Sequence, residues 1–262
     1  MSVIVLQSLS LSTPRFRIAS EEIQSETVLL DEKESRHALV VLRLKAGDAV
    51  RLFDGKGAVR SGVVLGQESG RLRVMPDKNV FSEAAPQWRV TLAPSLIKPE
   101  RMDLLFEKAC ELGVYAIAPF VSERSVVRLS EERREAKLRR WRKIVSESCK
   151  QCGLSTLPVV HPIRRFEDLA AESRDHDLVL IPTLAAVGRS LSQVLEGRPR
   201  LRSILVFVGP EGDFTAGEVE AAVSNGAEAV HLGPLVMRSE TAALYLLSSL
   251  RFFLMEMAHK IA

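Results

Sequence analysis

The 262-residue sequence predicts an α/β protein of two domains, a small β-barrel followed by a parallel sheet covered by helices on both faces. Three observations carry that prediction. From about Arg15 to Phe81 the chain falls into short β-type runs separated by turn residues. A polar, proline-marked stretch, Ser82-Glu83-Ala84-Ala85-Pro86, then breaks the pattern, which sets the domains at residues 1–82 and 83–262. Beyond the break strands alternate with helices, as in a sheet buried on both sides.

In the first domain the runs are Thr27 to Leu30, Ala49 to Phe53, Ala58 to Leu65 and Arg71 to Met75. Asp54-Gly55-Lys56-Gly57 supplies the positive φ that a tight hairpin needs. A short helix from Glu34 to Leu42 interrupts the strands, with Arg36, His37 and Arg43 among its side chains. In the second domain, strands are predicted at Arg89 to Ala93, Val114 to Pro119, Leu178 to Pro182, Ile204 to Val208 and Ala229 to Leu232. Met102, Leu105, Phe106 and Ala109 recur at helical spacing between Pro99 and Gly113, residues suited to the start and the end of a helix.

A further helix carries Leu138, Trp141, Ile144, Val145, Cys149 and Cys152 on one stripe, while Arg134, Lys137, Arg140 and Lys143 cluster largely elsewhere. The last helix, Thr241 to Lys260, is apolar almost all round, more than one covering domain hides, so part of it is expected to form a dimer interface.

The totals exclude more than they identify. At 46% hydrophobic and 26% charged, the chain has the composition of a globular protein rather than a disordered one. Net charge is +3 and the pI about 8.8, compatible with a polyanionic partner without requiring one. Local charge says more: Phe120 to Lys150 holds ten Lys or Arg against five Glu, a surplus of five positive charges. Three cysteines give no disulfide framework and fit a reducing, cytoplasmic setting. The Val3-Ile4-Val5-Leu6 run is too short for a secretory segment, and no run reaches the roughly 18 apolar residues of a membrane span, so no membrane partner is expected.

The sharpest chemical signal is Ile204 to Glu218, a buried strand entering Gly209-Pro210-Glu211-Gly212-Asp213 and then a helix opened by a Thr215/Glu218 capping box. Gly209 and Gly212 allow a ligand close to the backbone at the sheet edge where open α/β folds bind cofactors. The turn fits neither the dinucleotide nor the triphosphate glycine pattern, and a plain strand-to-helix connection remains the alternative. A second such turn runs from Leu232 to Thr241, with Arg238 and Glu240 at the entrance to the most apolar helix. There the alternative is a Glu favoured by the helix dipole with an Arg partner. Cys149-Lys150-Gln151-Cys152 reads as two buried core cysteines, since a zinc site lacks ligands to complete it; no metal is expected. No nucleophile elbow is present.

At these residues the sequence resembles the SPOUT class of methyltransferases, and within it the ribosomal RNA small subunit methyltransferase E family, which methylates N3 of a uridine in 16S ribosomal RNA. The likeness covers nearly the whole chain. In the first domain it rests on Arg36-His37, Val41-Leu42-Arg43 and Leu52-Phe53-Asp54-Gly55. In the second it rests on Lys98, Asp103, Lys108, Glu111-Leu112-Gly113-Val114, Pro119, Glu123-Arg124-Ser125, Trp141-Arg142-Lys143-Ile144 and Gln151-Cys152-Gly153. Val208 to Gly212, Leu232-Gly233 and Arg238-Ser239-Glu240-Thr241-Ala242 complete it.

The resemblance implies a SPOUT-type knotted parallel-sheet methyltransferase domain preceded by a PUA-like β-barrel for RNA binding, and a homodimer acting on the small ribosomal subunit. It implies S-adenosylmethionine as cofactor, held by Thr183, Leu184, Gly209, Pro210, Glu211, Gly212, Leu232, Gly233, Val236, Met237, Arg238, Ser239, Thr241 and Ala242. The sequence departs from the family at Asp213, where a second glycine is usual, and at Leu154, where an arginine is usual.

For such a reaction Glu211 or Glu240 would accept the uracil N3 proton and Arg238 would stabilise the negative oxygen, Arg238 being the key residue. Arg36, His37, Arg43, Lys98, Arg101, Arg124, Arg134, Arg140 and Lys143 would hold the RNA. Two alternatives remain open: a ribose 2′-O or other-base methyltransferase of the same class, and a catalytically silent RNA-binding or assembly factor.

Overall fold

The computed structural model describes residues 13–83, 87–125, 129–184, 189–198 and 200–261, without the side chains of 260 and 261. The Val3 to Leu6 run, Ala84 to Pro86 and Arg128 lie outside the described residues. Two compact units form, one of Met1–Ala85 with Cys149–Leu157 and one of Pro86–Ser148 with Pro158–Ala262.

The first unit contains β1 (Arg15–Arg17), β2 (Val28–Leu29), α1 (Glu32–Arg36), β3 (Ala49–Phe53), β4 (Ala58–Glu68), β5 (Arg71–Pro76) and β6 (Phe81–Ser82). They make a six-stranded sheet ordered β1-β3-β4-β5-β2, with β6 beside β4. Among the described residues no pairing closes it into the expected ring. Its core gathers Phe16, Val28, Leu30, Val50, Leu52, Val64, Leu72 and Val74, which alternate inward along their strands.

The β3–β4 hairpin turns at Gly55 (φ +79°) and Gly57 (φ +109°), and the Asp54 carboxylate accepts from the Lys56 and Ala58 amides at 2.7 and 3.0 Å. Arg60 is buried without an acid partner among the described residues. Its guanidinium donates to the Ile23, Ser25 and Asp77 carbonyls, which compensate its desolvation.

The helix expected at Glu34 to Leu42 starts two residues earlier, because Asp31 caps it by accepting from the Glu34 amide at 2.7 Å. It widens into a π-helical turn over His37–Val41 and stops at Arg43, which takes the left-handed conformation (φ +55°) as the Leu44 amide bonds back to Ala38. The segment 149–157 is tied into this unit. Ser155 bonds Glu83 and receives Arg15 at 2.7 Å, while Lys150 meets Glu34 at 2.7 Å.

The second unit contains β7 (Arg89–Pro94), α2 (Pro99–Glu111), β8 (Ala116–Ile117), β9 (Phe120–Val121), α3 (Glu131–Cys152), β10 (Val159–Val160), β11 (Arg164–Arg165) and α4 (Phe166–Ala171). There follow β12 (Leu178–Pro182), β13 (Arg189–Ser190), α5 (Leu191–Leu195), β14 (Ser203–Val208), α6 (Ala216–Ser224), β15 (Glu228–His231) and α7 (Ser239–Ile261). The last turn of α3 belongs to the first unit.

Seven parallel strands are ordered β10-β8-β7-β14-β12-β15-β13. The strand expected at Val114 to Pro119 shrinks to β8, Ala116–Ile117. Pro119 has no amide hydrogen for the ladder, and the chain beyond it pairs with β11. One layer of core contains Phe120, Phe166, Phe207 and Phe214, whose rings lie 5.4–6.2 Å apart, together with Val179, Ile181 and Leu205.

Helix α7 contacts α2, β7 and β14 through a buried stripe of Ala243, Leu246, Leu247, Leu250 and Leu254. Over Ser239–His259 it is long and apolar enough by composition to cross a membrane, although no uninterrupted apolar run in the sequence is that long. Ser248, Ser249 and Arg251 interrupt the run without lowering its mean hydropathy below a span's. Its buried stripe is core of the second unit, and Tyr245, Phe252 and Met255 on it are exposed.

Candidate functional site

Strands β14, β12 and β15 are parallel neighbours, so the loops that follow them leave the same edge of the sheet side by side. Those loops begin at Gly209, Thr183 and Leu232; the first and last are the two turns that the sequence pairs around one ligand, and the resemblance adds Thr183.

The first loop is a turn from Pro210 to Asp213, closed by the Asp213 amide donating to the Pro210 carbonyl at 3.0 Å. Gly209 is needed for close approach, since a Cβ there would stand 3.1 Å from the Phe214 ring. Gly212 has an ordinary φ; the left-handed residue of this turn is Asp213, at φ +57°. Its Oδ2 accepts from the Leu184 amide at 2.9 Å and the Thr183 hydroxyl at 3.3 Å.

Phe214 is buried and anchors the loop in the phenylalanine cluster. The expected capping box is present, with Glu218 Oε2 accepting from the Thr215 amide at 2.9 Å and Thr215 Oγ1 from the Glu218 amide at 3.2 Å. The buried Glu218 carboxylate also accepts from the Ser122 hydroxyl and the Glu123 amide. Arg124 donates to the Gly212 and Phe214 carbonyls at 2.8 and 3.3 Å, and Ser125 bonds Ser95 at 2.8 Å. The Glu123-Arg124-Ser125 run thus braces the glycine loop from behind.

Arg101 of α2 draws the two charged loops onto one centre. Its Nη1 lies 3.5 Å from Glu211 Oε1 and its Nε 3.6 Å from Glu240 Oε1. Sequence reasoning had given Arg101 to the RNA; nothing in its spacing marked it as the partner of two distant acids. Glu240 is only 9% exposed, and its Oε2 is buried without a hydrogen-bond partner among the described residues, leaving an acceptor for a ligand donor. Arg238 is exposed, with no side-chain partner among the described residues. Ser239 is buried and Thr241 exposed, with Met237 and Ala242 between.

Three apolar side chains on these loops stand in solvent: Leu184 at 60%, Leu235 at 78% and Val236 at 77%. Residues of that type at that exposure suit a site that a ligand covers. A groove of about 660 Å³ also borders Leu232 and Gly233, lined beyond them by Ser190, His231, Tyr245 and Phe253. The remaining predicted ligand residues do not line it.

Residues 83–251 match the family model of an RNA methyltransferase domain, and residues 30–74 match that of an RNA methyltransferase PUA domain. A ribosomal RNA small subunit methyltransferase E of Mycobacterium bovis is 30% identical over 218 residues, 82% of each chain. The chain belongs to the ribosomal RNA small subunit methyltransferase E family.

A methyltransferase E of Bacillus subtilis is 27% identical over 233 residues, covering 87% of this chain and 91% of the relative. The crystal structure of a methyltransferase E from Neisseria gonorrhoeae bound to S-adenosylmethionine matches with TM-score 0.80 and 32% identity, over 91% of this chain and 97% of that one. A methyltransferase of Legionella pneumophila in complex with the same cofactor matches with TM-score 0.82 and 26% identity, over 92% and 97%.

Against that family background, the remaining predicted residues fall into two groups. Arg36, His37, Arg43, Lys98 and Lys143 are exposed. Arg140 holds Asp103 through Nε and Nη2 at 2.9 and 2.5 Å, and Arg134 lies 3.9 Å from Glu131. Of the C-x-x-C pair, Cys149 is buried as expected and Cys152 only partly so. Leu154, the second departure from the family pattern, is partly buried within the 149–157 segment, and nothing in the structure explains the change.

Proposed function

We propose that the protein transfers the methyl group of S-adenosylmethionine to N3 of a uridine in 16S ribosomal RNA. The observation that carries this reading is the Glu211–Arg101–Glu240 centre at the edge where the three loops emerge. The residues fit the cofactor: Glu240 Oε2, without a hydrogen-bond partner among the described residues, is an acceptor for a donor of the ligand. Thr183, Leu184, Gly209 to Gly212 and Leu232 to Ala242 would hold it, largely through backbone groups. When bound, it supplies a methyl group already activated toward a nucleophile.

The protein must then align the uracil nitrogen, exclude water and remove the N3 proton. Glu211 or Glu240 accepts that proton, and Arg101 keeps both carboxylates in place. Arg238, unpaired among the described residues, stabilises the charge that develops on the uracil oxygen. A base stacked in folded RNA is out of reach, so the uridine is splayed out before transfer.

Exposed cations on each unit, Arg36, His37 and Arg43 on the first and Lys98 and Lys143 on the second, bind phosphates. In this reading the first unit is a PUA-like RNA-binding domain and the second carries the SPOUT knot. The exposed Tyr245, Phe252 and Met255 of α7 support pairing of two copies in a homodimer acting in the cytosol.

The test is digestion of 16S RNA after incubation with protein and S-adenosylmethionine, with identification of the nucleoside. N3-methyluridine is expected. A ribose-methylated or other methylated base rejects the position of transfer, and a calorimetric titration without cofactor binding rejects the reaction altogether.

A further inference from the structure

The residue that departs from the family pattern in the glycine turn is also the only one of the turn's residues held in the left-handed region. Asp213 sits at φ +57°, a conformation that glycine reaches without steric conflict and that a side chain makes less favourable. A side chain kept at such a place calls for a compensating contact. Two hydrogen bonds compensate: one carboxylate oxygen of Asp213 accepts from the Leu184 amide at 2.9 Å and the Thr183 hydroxyl at 3.3 Å.

Those donors belong to the loop after β12, whereas Asp213 belongs to the loop after β14. The two strands are adjacent, but their ladder ends at Leu180 paired with Val206, short of both loops. Beyond that point the Asp213 carboxylate joins them. The turn is fixed on either side of Asp213, by Phe214 in the core and by Arg124 on the Gly212 carbonyl. Asp213 therefore stands on an immobilised turn and extends that order to Thr183 and Leu184.

We infer that Asp213 is a positioning residue, a latch that holds the Thr183–Leu184 loop against the Pro210–Asp213 turn and so fixes two walls of the methyl-donor site. The inference rests on the reading of those loops as the donor site. In this arrangement the carboxylate acts through the two hydrogen bonds that Oδ2 accepts from the neighbouring loop, and a variant that keeps the acceptor but removes the charge separates this action from attraction of the cationic donor.

Three variants separate the possibilities. Asp213→Asn keeps an acceptor oxygen, tolerates the left-handed backbone and removes the charge. Asp213→Gly relieves the backbone but deletes the latch, and Asp213→Ala deletes it without relief. The latch predicts S-adenosylmethionine affinity near wild type for D213N, and a loss of roughly tenfold or more for D213G and D213A. The loss is expected in KM for the cofactor with kcat little changed, because a latch acts on binding.

Hydrogen exchange at the Leu184 amide, measured without cofactor, should be about tenfold faster in D213G and unchanged in D213N. A D213N variant that loses as much affinity as D213A overturns the latch in favour of a charge effect. Wild-type affinity in D213G, or unaltered Leu184 exchange in it, overturns the latch outright. Accelerated exchange in D213G beside a wild-type protein that binds no S-adenosylmethionine upholds the latch and overturns the donor-site reading instead.

Discussion

Arg238 and Arg101 show how differently two arginines can be placed around one pair of acids. Arg101 is partly buried and committed to Glu211 and Glu240, while Arg238 is exposed and has no partner among the described residues. If Arg238 stabilises charge that exists only during transfer, Arg238→Ala should lower the single-turnover rate about 100-fold while RNA and cofactor affinities hold. Unchanged single-turnover methylation would remove it from the mechanism. Arg101→Met should behave otherwise. It leaves the mostly buried Glu240 carboxylate facing Glu211 without a cation, so both activity and thermal stability should fall, and a melt unchanged from wild type would argue against the bridge. Arg238 and the two acids were legible from their positions in the chain. Arg101 was legible only as a cation, because its partners lie 110 and 139 residues away.

The short helix α6 and the loop before it show what an element can contribute beyond its own hydrogen bonds. Glu218 closes the capping box and also receives Ser122 and Glu123, so the start of α6 fixes a loop nearly one hundred residues upstream. Thr215→Ala should cost about 1 kcal/mol, the ordinary value of a lost cap. Glu218→Ala should cost clearly more, since it leaves buried donors without acceptors. Equal denaturation midpoints for the two variants would show that the upstream contacts carry no weight. The Thr215/Glu218 spacing was readable in the sequence; the Ser122 and Glu123 contacts were not, since no local pattern encodes them. In the same way the Val114 to Pro119 run reads as one strand until the sheet shows that pairing changes at Pro119.

Over the whole molecule, pH and salt report on different features. Burial lowers the pKa of His161 and His176 below the usual 6.5, with Arg164 acting in the same direction on His161. The unfolded chain therefore binds more protons than the folded one just below pH 6.5, so stability present above that value is lost as pH falls. The Arg164 hydrogen bond that holds Glu172 low, and the Ser203 and Arg202 amides that hold Asp177 low, add a second loss in the carboxylate range. Melts taken from pH 7.5 to 5 should show a falling Tm, and a flat profile would contradict this. RNA affinity should decline steeply with salt, and Lys143→Ala should reduce that slope by about one phosphate contact. Light scattering should find a dimer, and Phe252→Glu on the exposed face of α7 should shift it toward monomer. A wild-type monomer that methylates RNA would exclude that face as a required interface.

The sequence by itself determined a break near residue 83, the long strands at Arg89, Leu178 and Ile204 in their order, the glycine turn with its capping box, and the likeness to a family. All of these are local patterns or their succession along the chain, and local periodicity and turn chemistry are encoded by neighbours. Only the tertiary structure decided that the 149–157 segment joins the first unit and that Arg101 meets Glu211 and Glu240. It alone also decided that Asp213 is spent on Thr183 and Leu184. Those facts depend on which strands become neighbours, and the order β14-β12-β15 is set by burial of whole faces, which no window of the sequence contains.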